Sequence, residues 1–233
     1  MNLFYQTKIS GKTICLEENE SKHCIRVLRL KLNDEVWVTD GEGTMYKTII
    51  SDDNPKACVL TINETIKKYG ERSCKLHIAI SPLQNADRLE WFLEKATEIG
   101  IDEITPILCE HTEKKHINPE RLQKVLIAAM KQSLKAKLPV LNKLVKFSDF
   151  VKLNQSGLKG IAYCHDERIH ITEWYKSNSD CTILIGPEGD FSDAEIELAK
   201  KMGYTGISLG KSRLRTETAA LSACIAVNLL NNF

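Results

Sequence analysis

Beyond Cys74, short apolar runs alternate with longer segments of helical periodicity, and this alternation limits the possible fold more than any other feature of the chain. A short continuous apolar run is typical of a strand that is buried on both faces of a sheet. When a helical segment follows each such strand, the pattern predicts a parallel sheet covered by helices. The runs are LHIAIS, ITPILC, KGIAYCH, CTILIG and GISLG. This part of the chain is therefore predicted to be α/β.

Signals for helix boundaries support the alternation. In NADRLEWFLEKATEIG the apolar residues fall on one helical face, Gly100 predicts the end of the helix, and Asp87 with Glu90 forms a possible capping box. Further along, Ser192 is followed three residues later by Glu195, which predicts another helix start. These segments are long enough to cross from the end of one strand to the start of the next.

The chain before Cys74 has a different pattern. DEVWVTD, TMYKTIIS and ACVLTIN are strand-like runs separated by turn residues, which favours antiparallel pairing. The interruption ESKHCIRVLRLK predicts a short helix with His23, Arg26 and Arg29 on one face, close to Lys31. This face is either an ordinary solvated surface or a contact for RNA, and the pattern alone does not choose between them.

The composition suits two folded domains. With 233 residues, 42% hydrophobic and 27% charged, the chain is neither disordered nor built to span a membrane. The change of pattern places a small β-rich domain over 1–70 and an α/β domain over 74–233. The eight cysteines are scattered without metal-ligand spacing, so we expect reduced thiols and no metal site. The N-terminal residues do not resemble a signal peptide, which predicts a cytoplasmic protein without membrane attachment.

Polar loops follow three of the predicted strands. They are YCHDE with His165, the GPEG loop, and the stretch Leu209 to Thr218, where Thr216 or Thr218 is expected to cap the last helix. Each has an ordinary structural explanation, as a hydrogen-bonded histidine, a tight turn or a helix cap. In a parallel sheet, however, ligands bind beyond the carboxyl ends of the strands, and all three loops fall there. The sequence therefore predicts a binding site at this edge.

Several common sites are disfavoured. The chain has no GxGxxG after its first apolar strand, no GxxxxGK[ST] and no GxSxG. A dinucleotide-binding fold, a phosphate-binding P-loop and a serine hydrolase are therefore disfavoured.

Long stretches of the chain resemble the RsmE family of methyltransferases, which modify N3 of one uridine in small-subunit ribosomal RNA. The similar segments in the second domain are LIGPEGDFSDAE, ISLGKSRLRTETA, ADRLEWFLEKATEIGIDEITPI and KQSLKAKLP. HCIRVLRLKLNDEVWVTDGEG is similar to the PUA-like RNA-binding β-barrel of the same family. The resemblance implies a SPOUT fold with a C-terminal deep trefoil knot, S-adenosylmethionine as methyl donor, a homodimer, and 16S rRNA or the small ribosomal subunit as partner.

The resemblance also implies which residues form the cofactor site. The cofactor-binding residues would be Cys164, His165, Leu184, Gly186, Pro187, Glu188, Gly189, Leu209, Gly210, Leu214, Thr216 and Thr218. The chain departs from the family where many members have a second glycine at Asp190, a lysine-glycine pair at Asn85-Ala86, and an arginine-serine pair in EHTEKK around His111. The last two departures affect RNA contacts rather than the cofactor site.

The implied reaction needs few protein groups. A sulfonium makes the methyl group electrophilic without a metal, so the protein must align the reactants and manage the N3 proton. Arg215, or else Arg88, is expected to stabilise the uracil anion, although Arg215 could instead be a structural partner of Glu217 or Glu188. The base remains open among Glu217, Glu188, His165 and solvent.

RNA affinity would come from phosphate contacts. The first candidate group is His23, Arg26, Arg29 and Lys31, and the second is Lys114, Lys115, Lys131, Lys135 and Lys137. The second group is equally consistent with a solvated helix face. The final helix, AALSACIAVNLLNNF, is apolar around most of its surface and is expected to be buried within the monomer or against a second subunit.

A different class of function is a non-catalytic RNA-binding or ribosome-assembly factor on the same fold. The GPEG and RTETA loops argue against it, because a protein that only binds RNA does not need a cofactor cavity.

Overall fold

The computed structural model describes residues 1–153, 156–164 and 168–232. The chain divides into two compact units, Met1–Glu71 with Ile127–Leu138, and Arg72–Leu126 with Pro139–Phe233. All eight cysteines are free thiols. Among the described residues, no helix combines the length and apolar character that crossing a bilayer requires.

The first unit contains a five-stranded sheet and one short helical segment. Its elements are β1 (Leu3–Tyr5), β2 (Thr13–Cys15), α1 (Glu18–Lys22), a π-helical turn (His23–Val27), β3 (Glu35–Thr39), β4 (Met45–Asp52) and β5 (Val59–Ile66). The strand order is β1-β3-β4-β5-β2, with β1 parallel to β3 and the remaining pairs antiparallel. The predicted antiparallel strands β3, β4 and β5 are confirmed. Their inward side chains pack around Phe4 and Ile14, which are almost completely buried.

The helix that was predicted to extend to Arg29 ends earlier than the spacing of the basic residues indicated. The π-helical turn ends at Val27, and Arg29 lies beyond it with a φ of 56°, in the left-handed region. His23 is half-buried and its ring is 6.2 Å from that of Phe4. The prediction that His23, Arg26 and Arg29 share one helical face is therefore wrong, because the backbone leaves the helix before Arg29.

The second unit contains an eight-stranded sheet flanked by helices. Its elements are β6 (Leu76–Ile80), α2 (Ala86–Ile99), β7 (Glu103–Leu108), α3 (Pro119–Gln132), β8 (Val140–Leu141), β9 (Val145–Lys146), α4 (Phe147–Phe150), β10 (Leu158–Ala162), β11 (Ile169–His170), α5 (Ile171–Trp174), β12 (Cys181–Ile185), α6 (Asp193–Lys201), β13 (Thr205–Ser208) and α7 (Thr216–Leu230). Helix α3 continues into Ile127–Leu138, which belongs to the first unit. The order is β11-β13-β10-β12-β6-β7-β8, with β9 beside β7, and each pairing in this sheet between described residues is parallel. The predicted parallel α/β architecture is confirmed.

The central strands explain why the apolar runs are continuous. Every residue of β6 and β12 is buried, because helices cover both faces of the sheet there. The last helix, α7, packs against α2, β6 and β12. This burial accounts for its small and apolar residues.

Two helix boundaries match the sequence signals. Ser192 and Glu195 form a reciprocal capping box at the start of α6. Gly100 ends α2 with a φ of 136°, in the region that favours glycine.

Two predicted caps are wrong. The side chain of Asn85, rather than Asp87 with Glu90, caps α2 by accepting a hydrogen bond from the Asp87 amide. The N-cap of α7 is Arg215, which makes no side-chain capping bond, so neither Thr216 nor Thr218 caps this helix.

Candidate functional site

Three loops meet at the carboxyl ends of adjacent strands. β10 leads into Tyr163 and Cys164, β12 into residues 186–191, and β13 into residues 209–215. Because β13, β10 and β12 are consecutive in the sheet, their following loops are neighbours. They enclose a cavity of ≈ 290 Å³, close to the lower end of the range for small-molecule sites.

Most of the residues assigned to a cofactor site line this cavity. They are Cys164, Gly186, Pro187, Glu188, Leu209, Gly210, Leu214 and Thr216, and Arg215 joins them. Leu184 instead belongs to the buried core, and Thr218 lines a second cavity. Gly189 lies beside His111, where a Cβ on the glycine would be 3.1 Å from the Cβ of the histidine. His165 lies outside the described residues.

Glycines bring the backbone to the edge of the cavity. A Cβ added to Gly186 would lie 3.1 Å from two ring carbons of Phe191, so this loop packs too tightly for a side chain. Gly210 has a φ of 127°, and a Cβ there would meet nothing within 4 Å. At Gly210 the reason for glycine is therefore the backbone conformation rather than crowding.

Asp190 connects the loops around the cavity. Its carboxylate accepts hydrogen bonds from the backbone amides of Cys164 and Phe191, at 2.9 and 2.8 Å. Its carbonyl oxygen lies 2.9 Å from Nδ1 of His111. Asp190 has a φ of 64°, a left-handed conformation that aspartate tolerates better than most residues. An aspartate here can therefore replace glycine and add side-chain contacts between loops.

The charges at the cavity rim affect the nearby titratable groups. Arg168 and Arg213 line the cavity with Asp190. Burial raises the pKa of the Cys164 thiol, the Asp190 carboxylate raises it further, and the two arginines oppose this change. The pKa of His111 is also raised, chiefly by its hydrogen bond to the Asp190 carbonyl. Thiolate chemistry at Cys164 is therefore disfavoured at neutral pH.

A second cavity lies beside the start of α7. It has a volume of ≈ 280 Å³ and is lined by Asp87, Arg88, Trp91, Glu217 and Thr218. Oε1 of Glu217 is 3.8 Å from Nε of Arg88, so the structure pairs Glu217 with Arg88 rather than with Arg215. Two of the predicted catalytic residues, Arg88 and Glu217, are thus brought together.

In the first unit, basic and apolar side chains are exposed next to each other. We call Arg26, Arg29 and Lys31, with Val27, Leu28 and Leu32, the basic patch. His23, predicted to act with them, is half-buried instead.

One lysine of the second candidate RNA-binding group is already engaged in an internal ion pair. Lys131 places Nζ 2.6 Å from Oε1 of Glu20, and its side chain is only 16% exposed. This lysine therefore stabilises the unit internally.

The model of an RNA methyltransferase domain matches residues 70–228, which is more than half of the chain. The chain belongs to this RNA methyltransferase family. The model of an RNA methyltransferase PUA domain matches residues 16–63, within the first unit.

Individual relatives agree with this assignment. The chain is 34% identical over 212 residues to ribosomal RNA small subunit methyltransferase E of Rickettsia conorii, covering 88% of this chain and 85% of the relative. A crystal structure of a probable rRNA-methyltransferase from Porphyromonas gingivalis matches with a TM-score of 0.93 and 38% identity, covering 100% of this chain and 99% of that one. A methyltransferase from Legionella pneumophila, solved with bound SAM, matches with a TM-score of 0.88 and 26% identity over 98% of this chain and 97% of that one.

Several residues that line the cavities were missed by sequence reasoning, among them Arg213, Arg168 and Trp91. Arg213 lies two positions before Arg215, so the same polar stretch contained the signal for it. Arg168 and Trp91 gave no comparable signal. Arg168 is separated from the strand end by several residues, and Trp91 looks like an ordinary residue of an amphipathic helix.

Proposed function

We propose that this family member transfers the methyl group of S-adenosylmethionine to N3 of a uridine in small-subunit ribosomal RNA. The observation that carries the proposal is the cavity formed by three loops at the carboxyl edge of the parallel sheet. The relative from Rickettsia conorii supports the RNA substrate, and the SAM-bound relative supports the cofactor. A non-catalytic RNA-binding factor would not need this cavity.

The residues of the cavity suit S-adenosylmethionine. Ile185, Ile207 and Leu209 provide apolar surface for a flat adenine ring, and the side-chain-free backbone at Gly210 allows close approach. The first amides of α7 have no acceptor inside the helix, which suits an anionic carboxylate beside Thr216. When bound, the cofactor supplies a methyl group on a positively charged sulfur.

Arg215 is proposed to stabilise the reacting base. It is exposed, lines the cavity and precedes the first turn of α7. As N3 loses its proton, negative charge develops on the uracil oxygens, and a guanidinium can donate hydrogen bonds to them. We assign the acceptance of this proton to Glu217, which is buried at the start of α7.

Glu188 is the weaker candidate for the base. Its Oε1 accepts a hydrogen bond from the Gln84 amide at 3.3 Å, so part of its hydrogen-bonding capacity is already used.

The deciding experiment is mass-spectrometric mapping of ribosomal RNA from cells with and without the gene, together with methylation of that RNA by the purified protein. We expect one N3-methyluridine to be missing without the gene and restored by protein with S-adenosylmethionine. Calorimetry adds an independent check, because absence of cofactor binding at high micromolar concentration would favour the non-catalytic factor.

The PUA domain is proposed to bind RNA through the basic patch. Replacing Arg26 and Arg29 by glutamate should lower RNA affinity by about ten- to a hundredfold at low salt, because two phosphate contacts become repulsive. The slope of log affinity against log salt should flatten by roughly 0.7 to 0.9 per lost contact. Fluorescence anisotropy over a salt series measures both quantities.

Lys56→Glu is a suitable control for this experiment. Lys56 is exposed on the same unit but is not part of the basic patch. A double variant whose salt slope equals that of the wild type and of Lys56→Glu would contradict the assignment.

A homodimer is proposed through the exposed side of α7. Ile225 and Leu229 are one helical turn apart, and their exposed fractions are 38% and 68%. A pair of large apolar residues exposed on an otherwise buried helix is a feature of subunit interfaces.

Leu229→Glu should convert the dimer to monomer at micromolar concentration, because a charge would have to be buried at the interface. Sedimentation velocity checks the assembly. Met202→Glu, at another exposed apolar residue of the same unit, serves as the control. A wild-type protein that sediments as a monomer would contradict the proposed dimer.

We further propose residues 1–70 as the PUA-like β-barrel and 74–233 as the SPOUT domain with its C-terminal trefoil knot. The path of α7 supports the knot. The chain leaves β13, which lies outside β10, and yet α7 packs on β12 and β6. The segment between β13 and α7 must therefore cross the carboxyl end of β10.

A further inference from the structure

Three large apolar side chains are exposed close together on the first unit. Val27, Leu28 and Leu32 have exposed fractions of 68%, 37% and 50%, and we call them the apolar tip. Other apolar residues of the same stretch face inward, because Ile25 and Leu30 pack against the core of the unit. The segment therefore buries some of its apolar residues and keeps the tip in solvent. A cluster of exposed apolar side chains of this kind typically marks an interaction surface.

The backbone holds the apolar tip in a defined position. The Leu28 amide donates to the His23 carbonyl at 2.9 Å, which closes the π-helical turn. Directly after the tip, the Asn33 amide donates to the Ile50 carbonyl of β4 at 2.9 Å. A surface that is already ordered loses little conformational entropy when a partner binds. The tip is therefore preorganised for contact.

The charges around the tip favour an anionic partner. Arg26, Arg29 and Lys31 are exposed, and no described residue forms an ion pair with any of them. Glu18 and Glu20, on the preceding helix α1, are already paired with other lysines. The RNA methyltransferase PUA model covers residues 16–63, so the tip and its cations lie within the matched part of the chain. RNA is therefore the anionic partner that both observations favour.

Phosphate contacts alone do not explain the apolar tip. A paired RNA helix presents phosphates, riboses and base edges, whereas the flat faces of its bases are stacked inside it. An unpaired base exposes a large apolar face, and apolar side chains beside basic ones bind between bases in nucleic-acid complexes. The combination of apolar tip and cations therefore matches a helical RNA segment that is interrupted by an unpaired nucleotide.

We propose that the apolar tip covers the face of an unpaired base, next to an RNA helix whose phosphates contact the three cations of the basic patch. The proposal rests on the proposed binding of RNA by the basic patch and adds what the patch selects. The reacting uridine is assigned to the second unit, so this base is a second recognised nucleotide of the substrate. The substrate class is thus RNA with an interrupted helix rather than continuous double-stranded RNA.

The test uses the full-length protein without cofactor and two short hairpin oligoribonucleotides that differ only by one unpaired adenosine in the stem. We expect the hairpin with the unpaired adenosine to bind about tenfold more tightly, because only this hairpin offers a base face to the tip. Fluorescence anisotropy over a salt series measures both affinities. With 2-aminopurine at the unpaired position, its fluorescence should rise on binding as the base leaves the stack.

Leu28→Asn combined with Leu32→Asn should abolish most of this tenfold preference, because asparagine keeps roughly the size of leucine but not its apolar surface. Binding of the continuous hairpin and the slope of log affinity against log salt should stay as in the wild type, because no charge is removed. Charge reversal at Arg26 and Arg29 should instead flatten this slope. The two kinds of variant therefore separate base contacts from phosphate contacts.

Two single variants keep the test independent of the fold. Val27→Asn changes the most exposed residue of the tip and should lower the preference while leaving the melting temperature unchanged. Leu134→Asn is the matched control, because Leu134 belongs to the same unit and is 36% exposed, close to the value for Leu28. We expect the control to bind both hairpins as the wild type does.

Two results would overturn the proposal. One is equal binding of the two hairpins by the wild type; if phosphatidylglycerol vesicles then bind the wild type and not the double variant, the tip contacts an anionic membrane instead. The other is a double variant that keeps the preference but melts at a lower temperature or dissociates into monomers, which would show that the tip serves the fold or a second copy of the chain. If the preference is present but ribosomal RNA is not methylated, the inference stands and the proposed function fails. If ribosomal RNA is methylated but the two hairpins bind equally, the function stands and the inference fails.

Discussion

Arg215→Ala should slow methyl transfer by about 10²- to 10³-fold and leave the affinity for S-adenosylmethionine largely unchanged. The guanidinium is exposed at the cavity, and its proposed partners are the uracil oxygens, which carry charge only as N3 is deprotonated. An interaction that strengthens during the reaction lowers the barrier without contributing to binding of the ground state. Single-turnover kinetics with ribosomal RNA measures the rate, and calorimetry measures the cofactor affinity.

Two further variants separate charge from geometry. Lys211→Ala removes a positive charge from the same exposed loop and should retain normal kinetics. Arg215→Lys should recover only part of the rate, because lysine keeps the charge but loses the planar pair of donors. A single-turnover rate for Arg215→Ala equal to that of the wild type would remove this residue from the active site.

Gly186→Val should weaken cofactor binding by about 10²-fold or more. A Cβ at this position lies 3.1 Å from two ring carbons of Phe191 and 3.3 Å from its backbone nitrogen. Valine adds two methyl groups to a loop that already packs tightly, so residues 186–191 must shift, and losing about 2.8 kcal/mol of contacts with the cofactor corresponds to this change in affinity. The same overpacking should lower the free energy of unfolding by about 1–3 kcal/mol.

Ile183→Val is the matched control on the same strand. Ile183 is fully buried in β12, and losing one methylene should lower the free energy of unfolding by about 0.5–1.5 kcal/mol without affecting the cofactor. Calorimetry and urea denaturation of the two proteins separate loss of stability from loss of binding. A Gly186→Val protein that binds S-adenosylmethionine as tightly as Ile183→Val would show that this loop does not form the cofactor site.

The parallel sheet was predictable because burial on two faces leaves a direct trace in the sequence. Each residue of β6 and β12 is buried, so the strands read as continuous apolar runs. The neighbouring positions of the three loops followed, because parallel strands place their carboxyl ends at one edge. The polar stretch that contains Arg215 was recognisable because it directly follows one of these apolar strand runs.

Other features depend on contacts that the sequence does not encode locally. Asn85 caps α2 although Asp87 and Glu90 had the expected spacing, because cap choice depends on which residue adopts extended backbone. Arg29 leaves the predicted helix by adopting a left-handed φ. Trp91 is 43% exposed and lines the second cavity, although the sequence shows it only as one residue of an amphipathic helix.

The hydrogen bonds of Asp190 have a kinetic consequence. Through its carboxylate and carbonyl it holds Cys164, Phe191 and His111, which belong to loops after three different strands. Two of these loops, after β10 and β12, also line the first cavity, so we expect a molecule bound there to leave only when these bonds loosen together. The residence time of such a molecule should then follow the joint opening of these loops, and the amides of Cys164 and Phe191 should exchange with solvent deuterium at similar rates.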